Sequence, residues 1–306
     1  MSTYNGYKYL SEQIESILAQ NLGENEISML IRDDGSTDKG LTIGLIKSYS
    51  DKYPEKISYY RGSNLGACGS FFDLTQNADL TCDYFGFADQ DDFWLPNKVQ
   101  RGIIKLEKVN SQIPTVYSTQ ITVVDENLKK IDNSKGKVAI MVSFGNSLLE
   151  NIVTGCTAIF NKAMLMELRK VRFENVREGL FLHDWTLYMI ASSYGRLIYD
   201  KKSYILYRQH DSNVLGAERG KISKIVRKLK LFMKYKSSDL ITKNIRAFYK
   251  VYGEKLNENE QYFIQKYVEK NSSIIKCLKV ILDKEIKRQK LSDTIIFKAM
   301  MIFKII

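Results

Sequence analysis

Short apolar runs alternate with helical repeats over the first 100 residues. Apolar residues recur at helical spacing within 9–18, 41–49 and 70–76. Continuous apolar runs occupy 27–31, 57–60 and 84–88. Runs of this length predict buried strands, and the helical spacing predicts helices between them. Strands that alternate with helices are typical of an α/β fold, so we expect a mostly parallel, Rossmann-like sheet with helices on both faces.

The pattern continues in shorter pieces to about residue 210. Two short strands are predicted within 115–125, a turn and strand at 154–160, and two more strands at 196–199 and 205–207. Helices are predicted at 95–108, 143–150 and 181–193. No internal repeat or low-complexity tract interrupts this order.

Polar clusters lie where predicted strands end. The clusters 33–36, 64–66 and 89–92 each follow the carboxyl end of a strand, which is where open α/β sheets bind ligands. The segment 2–5 would be a fourth cluster, but only Met1 precedes it. We therefore expect the first strand to be missing at the N-terminus, through truncation or a late-assigned start.

The acidic cluster is the strongest local signal. Asp89 and Asp91 are two apart on an extended segment and project to one side, so they can share a ligand. Mg²⁺ takes one or two protein carboxylates together with water and phosphate oxygens, and would neutralise charge on a diphosphate leaving group. The alternative is a solvated acidic turn in which Asp92 caps the following helix.

The cluster at 33–36 has two interpretations. The carboxylates of Asp33 and Asp34 could accept hydrogen bonds from a nucleobase edge or from ribose hydroxyls. Asp, Gly and Ser are also common turn formers, so a simple turn with a helix cap is the alternative.

Both histidines of the chain lie in compact polar clusters. Asp184 follows His183 at a predicted helix start, where the helix dipole favours its ionised form and the carboxylate could accept a proton from an attacking hydroxyl. Arg208 suits a phosphate, and His210 could bind the same phosphate or a metal. Taken singly, each residue is better explained by a helix terminus or a surface turn.

Taken together and in order, the clusters resemble the motifs of family 2 glycosyltransferases. The matching residues are Ser2-Thr3-Tyr4-Asn5-Gly6, Asp33-Asp34-Gly35-Ser36-Thr37-Asp38, Asn64-Leu65-Gly66, Asp89-Gln90-Asp91-Asp92, Thr154-Gly155-Cys156, His183-Asp184-Trp185 and Tyr207-Arg208-Gln209-His210. They are most similar to the bacterial rhamnosyltransferase-like branch, which builds cell-wall, capsular or O-antigen polysaccharides. The resemblance covers residues 1–216 and implies a GT-A fold and inverting transfer by direct displacement at the anomeric carbon.

The resemblance also implies a role for each matching residue. Thr3, Tyr4 and Asp34 would line the nucleotide pocket with Asp33 beside them, and Asp89 would contact the ribose. Asp91 would bind Mg²⁺ or Mn²⁺, and Asp184 would be the general base. Arg208 and His210 would hold the diphosphate or metal from the far side. The sugar and acceptor region would be shaped by Thr154, Gly155, Cys156, His183 and Trp185.

Charge divides the chain into two parts. Residues 221–306 contain 21 of the 46 Lys and Arg but only 8 of the 35 Asp and Glu, whereas 1–220 is nearly neutral. We place a domain boundary there, with a GT-A domain at 1–216 and a basic helical region at 217–306.

Four scattered cysteines indicate reduced thiols. No apolar run reaches the about 18–20 residues of a membrane span, and no signal peptide opens the chain, so we expect a cytoplasmic protein.

The basic region has two open interpretations. Residues 221–236 and the apolar stretch 295–306 predict amphipathic helices that could lie on an anionic membrane. The same helices could instead pack on the catalytic domain and expose their lysines. Because acceptors in this branch are commonly lipid-linked, a peripheral position on the plasma membrane's inner face suits the resemblance. A nucleic-acid partner is not expected, because the motifs of residues 1–220 have no place in a nucleic-acid-binding module.

The resemblance leads to one preferred function and two rivals. We expect transfer of a sugar, rhamnose from dTDP-L-rhamnose as first choice, to a hydroxyl of a lipid-linked or saccharide acceptor. A sugar nucleotidyltransferase would share the nucleotide-binding strands and acidic metal site but would not need Asp184. A catalytically inactive member that binds nucleotide sugar or membrane is the second rival.

Overall fold

The computed structural model describes residues 1–131, 141–176, 182–210, 240–270 and 273–302. In the amino-terminal half the elements are β1 (Ser2–Thr3), α1 (Tyr7–Leu18), β2 (Met29–Asp33), α2 (Leu41–Lys52), β3 (Ile57–Arg61), α3 (Gly66–Asn77), β4 (Tyr84–Gly86), β5 (Phe93–Trp94), α4 (Lys98–Leu106) and β6 (Thr115–Val124). The second half contains α5 (Phe144–Leu149), β7 (Ile159–Asn161), α6 (Lys162–Leu168), α7 (Phe173–Val176), α8 (His183–Ser193), β8 (Arg196–Arg208), α9 (Leu240–Tyr252), α10 (Glu258–Val268), α11 (Ile274–Ile281) and α12 (Leu291–Ile302).

Two sheets form the centre of residues 1–210, the part of the chain predicted to be catalytic. The first has the order β1-β2-β3, and both of its pairings are parallel. The second has the order β4-β7-β6-β8-β5, in which β6 and β8 are parallel and the other pairings are antiparallel. The N–H of Ser2 donates to the carbonyl of Ala88 at 3.3 Å, which links β1 to the end of β4. A two-residue strand thus occupies the position where the sequence led us to expect none.

Helices cover both faces of the parallel sheet, as predicted. Ile31 of β2 packs in one hydrophobic cluster with Leu10 of α1 and Ile46 of α2. Its neighbour Leu30 points the other way, against a second cluster that contains Phe71 of α3. Because successive residues of a strand face opposite sides, this division places α1 and α2 on one face and α3 on the other. The predicted α/β fold is confirmed.

The two pairs of short strands predicted after residue 110 are wrong. Residues 115–124 form the single strand β6, and 196–208 form the single strand β8. Polar residues such as Gln120 and Lys201 interrupt the apolar pattern, which suggested breaks. The two strands pair along most of their length, with register shifts beside Gln120, so backbone hydrogen bonds carry the strands through the polar stretch.

The described C-terminal helices pack on the catalytic part. Ile245, Phe263, Val280 and Phe297, one from each of α9 to α12, belong to the cluster that also contains buried residues of α5, α6 and α8. The segments 221–236 and 303–306 and the predicted boundary at 216/217 lie outside the described residues. Within the described ranges, no helix combines the length and apolar character that crossing a bilayer requires.

Candidate active site

The first loop is tied to the acidic segment by one side chain. The Oε1 atom of Gln90 accepts hydrogen bonds from Thr3 Oγ1 and from the backbone N–H of Tyr4, both at 2.8 Å. Its Nε2 donates back to the Tyr4 carbonyl at 3.2 Å. Thr3 is buried, whereas the Tyr4 side chain is 42% exposed. Gln90 therefore fixes the backbone from which an exposed aromatic ring projects at the carboxyl edge of the sheet.

The loop after β2 closes around Asp33. Its carboxylate accepts hydrogen bonds from the hydroxyl and backbone N–H of Ser36, and it forms an ion pair with Arg61 at 3.2 Å. Ser36 Oγ in turn accepts from the N–H of Asn5 at 2.9 Å, which joins this loop to the first. Asp33 is fully buried, so in this arrangement it organises the loop.

Asp34 is the partner of a buried arginine. Arg32 forms an ion pair with Asp34, a second with Asp73 at 2.8 Å, and donates to the carbonyl of Ser63 at 2.9 Å. Asp34 also accepts from the backbone N–H of Leu65 at 2.9 Å. Both Arg32 and Asp34 are about 2% exposed. This network joins the ends of β2 and β3 beneath the expected nucleotide pocket.

Replacing Arg32 with methionine is expected to lower the free energy of unfolding by about 3 kcal/mol, because it leaves the Asp34 carboxylate buried and unpaired. Urea denaturation measures the change. The matched control is Arg101→Met, whose ion pair with Asp200 involves a side chain 38% exposed and should contribute under about 1 kcal/mol. Equal losses in the two variants would contradict a buried charge network.

The acidic segment concentrates negative charge. Burial, and then the negative charges of Asp91 and Asp184, raise the pKa of Asp89 from 3.8 to about 7. Asp91 and Asp184 thus each lie close enough to Asp89 to repel its carboxylate. A bound cation would relieve this repulsion, since an opposite charge favours ionised carboxylates. The structure brings together the predicted ribose ligand, metal ligand and base.

Asp91 contacts residues at and just after the end of β8, and these residues in turn contact α1. Its Oδ2 lies 2.8 Å from Nε2 of His210, and the His210 ring stacks on Tyr9 of α1 with centroids 5.1 Å apart. Arg208 donates from Nε to the Asp91 carbonyl at 2.9 Å and forms an ion pair with Glu12. Arg208 is also buried, so a contact with a diphosphate would require it to exchange these partners; that role stays a prediction.

The donor set fits a hard divalent cation. Two ligands at right angles with bonds of about 2.1 Å are about 3 Å apart, close to the 2.8 Å between Asp91 Oδ2 and His210 Nε2. Another group, formed by Asp89, Asp92 and Cys156, has ligand atoms within 4.8 Å of one another. In this second group, burial raises the pKa of the Cys156 thiol most, and the negative charge of Asp92 raises it further. A neutral thiol is a poor ligand for Mg²⁺ or Mn²⁺, so Asp91 and His210 with Asp89 nearby fit better.

Asp92 does not cap a helix, contrary to the alternative considered from the sequence. It is fully buried, its Oδ1 accepts from the N–H of Arg208 at 3.1 Å, and α4 begins only at Lys98. Lys98 is also fully buried, with Nζ 3.4 Å from the centroid of the Trp94 ring, and burial lowers its pKa to about 7. These side chains support the acidic segment from the protein interior.

Asp184 lies in the first turn of α8, as predicted. Its Oδ2 accepts from the backbone N–H of Gly155 at 3.1 Å, and its Oδ1 is buried without a hydrogen bond to the described residues. Burial raises the pKa of Asp184 from 3.8 to about 6, while the Gly155 N–H and the side chain of Asn151 act in the opposite direction. The carboxylate thus has one oxygen fixed and one able to accept a proton near neutral pH.

His183 and Gly155 form the wall behind Asp184. The His183 ring stacks on Phe71 with centroids 4.0 Å apart and meets Phe87 edge-on at 4.7 Å. Burial lowers its pKa to about 3, so the imidazole is neutral. A Cβ atom on Gly155 would lie 2.7 Å from His183 Nε2, and this position therefore requires glycine.

Two predicted sugar or acceptor residues lie in the interior. Cys156 is 1% exposed, and Trp185 is 3% exposed with its indole N–H donating to the carbonyl of Ser147. Both side chains are therefore covered by the protein in this structure. A direct sugar contact by either residue stays a prediction, as does one by Thr154, which leads into a 3-10 turn over Gly155–Thr157.

Several positioning residues were not predicted. Arg32 is a charged residue within the apolar β2, which is a signal that the sequence offered. Gln90 stands inside the acidic motif but carries no charge, and Glu12 looks like any polar position of α1. Lys98 follows a polar turn, a position at which the sequence predicts an exposed side chain. Their roles depend on contacts between residues far apart in the chain.

Comparison with known proteins covers both sequence and fold. The family model described as Glycosyl transferase family 2 matches residues 1–169. The dTDP-rhamnosyl transferase RfbG of Shigella flexneri is 33% identical over 223 residues, which cover 71% of this chain and 74% of that protein.

Two solved structures are similar in fold. S. aureus TarS 1-349 in complex with UDP-GlcNAc matches with a TM-score of 0.55 and 16% identity, over 98% of this chain and 80% of that one. The mannosyltransferase PcManGT from Pyrobaculum calidifontis, in complex with GDP-Man and Mn2+, matches with a TM-score of 0.54 and 11% identity, over 99% and 85%. At these identities the likeness concerns the fold alone, and the predicted GT-A fold is confirmed.

Proposed function

Because the chain belongs to glycosyl transferase family 2, whose members use nucleotide-sugar donors, we propose that it is an inverting transferase with Asp184 as its base. One observation carries the proposal. The Asp184 carboxylate has one oxygen fixed by Gly155 and one oxygen without a hydrogen bond among the described residues, and it lies close enough to Asp89 for their charges to interact. A carboxylate in this position supports the role of a proton acceptor beside the expected diphosphate and metal site.

The proposed metal site consists of Asp91 and His210, with Asp89 beside them on the ribose side. Mg²⁺ or Mn²⁺ bound there would act as a Lewis acid that stabilises the negative charge of the departing diphosphate. Tyr9 keeps the His210 ring in place, and the buried Arg208 fixes the backbone of Asp91. These contacts hold the ligands before a donor arrives, which reduces the reorganisation needed for reaction.

The proposed chemical step starts at the acceptor hydroxyl. Asp184 Oδ1 takes the hydroxyl proton while the oxygen forms a bond with the anomeric carbon. The bond between that carbon and the diphosphate oxygen breaks, and the diphosphate leaves with the electron pair. Attack opposite to the leaving group inverts the anomeric configuration. The N–H of Gly155 keeps Oδ2 fixed throughout, so Oδ1 stays directed at the acceptor.

Nucleotide binding is proposed for the loops at the ends of β1 and β2. The exposed ring of Tyr4 is suited to stacking on a base, whereas the neighbouring Thr3 is buried. Because Asp33 and Asp34 are buried and held by protein partners, a direct contact of either carboxylate with the base or ribose requires the loops to open, and that role stays a prediction. Gln90 joins this part of the site to the metal side.

Replacing Gln90 with leucine is expected to weaken binding of the matching nucleoside diphosphate by about tenfold. The variant leaves the Tyr4 N–H and Thr3 hydroxyl without their acceptor, which costs on the order of 1–1.5 kcal/mol. Isothermal titration calorimetry measures the affinity. Gln76→Leu is the matched control, because Gln76 donates only to the carbonyls of Arg169 and Val171. The role of Gln90 would be refuted by equal affinities in the two variants.

The proposed donor is dTDP-L-rhamnose, and the proposed acceptor is a hydroxyl of a lipid-linked saccharide in bacterial surface polysaccharide synthesis. RfbG of Shigella flexneri, a dTDP-rhamnosyl transferase, supports the choice of donor by its 33% identity. A lipid-linked acceptor would be reached from a peripheral position on the inner face of the plasma membrane. The excess basic charge of the C-terminal region is suited to that position.

One experiment separates this function from the nucleotidyltransferase alternative. The protein is incubated in parallel with dTDP-L-rhamnose plus a saccharide acceptor, and with dTTP plus rhamnose 1-phosphate. We expect nucleoside diphosphate from the first mixture and no pyrophosphate from the second. Pyrophosphate release from the second mixture alone would support a nucleotidyltransferase. Nucleotide-sugar binding without turnover of either mixture would support an inactive binding protein.

A further inference from the structure

Helix α11 has two apolar faces, of which only one is buried. Cys277, Val280 and Ile281 pack into the main hydrophobic cluster. Ile274, Leu278 and Leu282 are spaced by four residues and therefore share another face, where Ile274 is 71% exposed and Leu282, directly after the helix, is 80% exposed. Ile275 is exposed beside them. An exposed apolar face of this size is unusual on a soluble surface and indicates a binding surface.

Helix α12 repeats the arrangement. Phe297 and Met301 are buried in the same cluster as the inner face of α11, and Cys277 Sγ lies 3.5 Å from the carbonyl of Met301. Leu291, Ile295 and Ile302 occupy positions that share one face of the helix, and all three are exposed. The pair of helices therefore fixes its inner faces to the body and leaves two apolar stripes outside.

Lysines accompany the exposed stripes. Lys279 on α11 is exposed, and Lys284, Lys287 and Lys290 are exposed in the connection between the helices. Lys298 lies seven residues after Leu291 and so on the same face of α12. Residues 273–302 contain seven Lys and Arg against three Asp and Glu. The surface thus combines apolar area with a net positive charge.

We propose that the exposed faces of α11 and α12 form a docking surface for an anionic lipid bilayer. The surface is made of Ile274, Ile275, Leu278 and Leu282 on one helix and Leu291, Ile295 and Ile302 on the other. Isoleucine and leucine side chains enter the boundary between headgroups and acyl chains, and the lysines contact lipid phosphates. Because the inner face of each helix is fixed to the body of the protein, α11 and α12 lie along the bilayer interface.

Charge favours lipid over a second copy of the chain as the occupant. In a symmetric dimer the same surface is contributed by both subunits, so the net positive charge of residues 273–302 would face the net positive charge of the other copy. Like charges in a contact are destabilising, whereas anionic headgroups neutralise them. The buried inner faces also keep the helices folded before they meet the membrane. The inference rests on the proposed function in one respect: the protein would dock on the membrane in order to reach a lipid-linked acceptor.

Vesicle flotation of the full chain tests the docking surface. The probes are vesicles of phosphatidylcholine alone and vesicles in which about one third of the lipid is phosphatidylglycerol. The stripe variant is Ile274→Ser/Leu278→Ser/Leu282→Ser. The matched control is Leu80→Ser/Ile113→Ser/Met166→Ser, which removes three exposed apolar side chains from the catalytic part. Thermal unfolding and donor hydrolysis without lipid are measured on all three proteins.

We expect the wild type and the control to bind the phosphatidylglycerol vesicles at least about tenfold more tightly than the stripe variant, with equal unfolding temperatures. Flotation of the stripe variant equal to that of the wild type would overturn the proposal. So would wild-type self-association that the stripe variant loses, without vesicle binding, since the occupant would then be a second copy. If flotation follows the expected pattern but no protein hydrolyses a donor, the docking surface stands and the proposed function fails.

Discussion

Replacing Asp184 with asparagine is expected to lower kcat by about a thousandfold, within the range for loss of a general base. The amide oxygen can still accept the Gly155 N–H, so the local structure is kept while the proton acceptor is lost. Affinity for the nucleoside diphosphate should not change, because Asp184 acts on the acceptor side. Steady-state kinetics and calorimetry measure the two quantities, with the exposed Asp83→Asn as control.

The pH dependence of the wild type gives an independent check. The pKa of Asp184 is raised to about 6 by burial, and only the ionised carboxylate can accept a proton. The value of kcat/KM should therefore rise tenfold per pH unit below about pH 6 and become constant above it. Asp184→Asn should lack this rise. A thousandfold loss accompanied by an unchanged pH profile would argue that Asp184 positions other groups and is not the base.

Replacing Asp91 with alanine is expected to abolish metal-dependent turnover, with a loss of about a hundredfold or more in kcat/KM. The variant removes a proposed metal ligand whose Oδ2 lies 2.8 Å from Nε2 of His210, and it leaves His210 without its carboxylate partner in the site. Binding of Mn²⁺, followed by electron paramagnetic resonance, should weaken in parallel.

The matched control for Asp91→Ala is Asp51→Ala, which removes an exposed carboxylate that pairs with Lys47 on the surface. This variant should keep both the Mn²⁺ affinity and the turnover of the wild type. If Asp91→Ala bound Mn²⁺ as tightly as the wild type, the metal ligands would have to be sought elsewhere, with Asp92 and Cys156 as the next candidates.

The sequence predicted the parts of the site that depend on local pattern. Each polar cluster followed a strand, and the carboxyl ends of neighbouring parallel strands meet at one edge of a sheet. For that reason Thr3, Asp33 and Asp89 lie near one another in the structure. The fold class followed from the same alternation of strands and helices, and Asp184 stands at the start of a helix as expected.

The remaining features depend on tertiary contacts that no local pattern encodes. Burial of Arg32 and Lys98 depends on which strands and helices cover them, and sequence alone favours exposure for charged residues. The alternative that made Asp92 a helix cap follows from the usual role of an aspartate before a helix, but the partner of Asp92 is the backbone of Arg208, 116 residues away. The long strands β6 and β8 exist because they pair with each other.

The most direct test of the account is nucleoside diphosphate release by purified protein from a panel of nucleotide sugars, with a lipid-linked saccharide acceptor and with Mg²⁺, Mn²⁺ or EDTA. We predict metal-dependent release from one donor, dTDP-L-rhamnose as first choice, that stops with EDTA and is lost in Asp91→Ala and Asp184→Asn. No release from any donor under these conditions would contradict the transferase function. Release that is unchanged in Asp184→Asn would contradict the proposed mechanism.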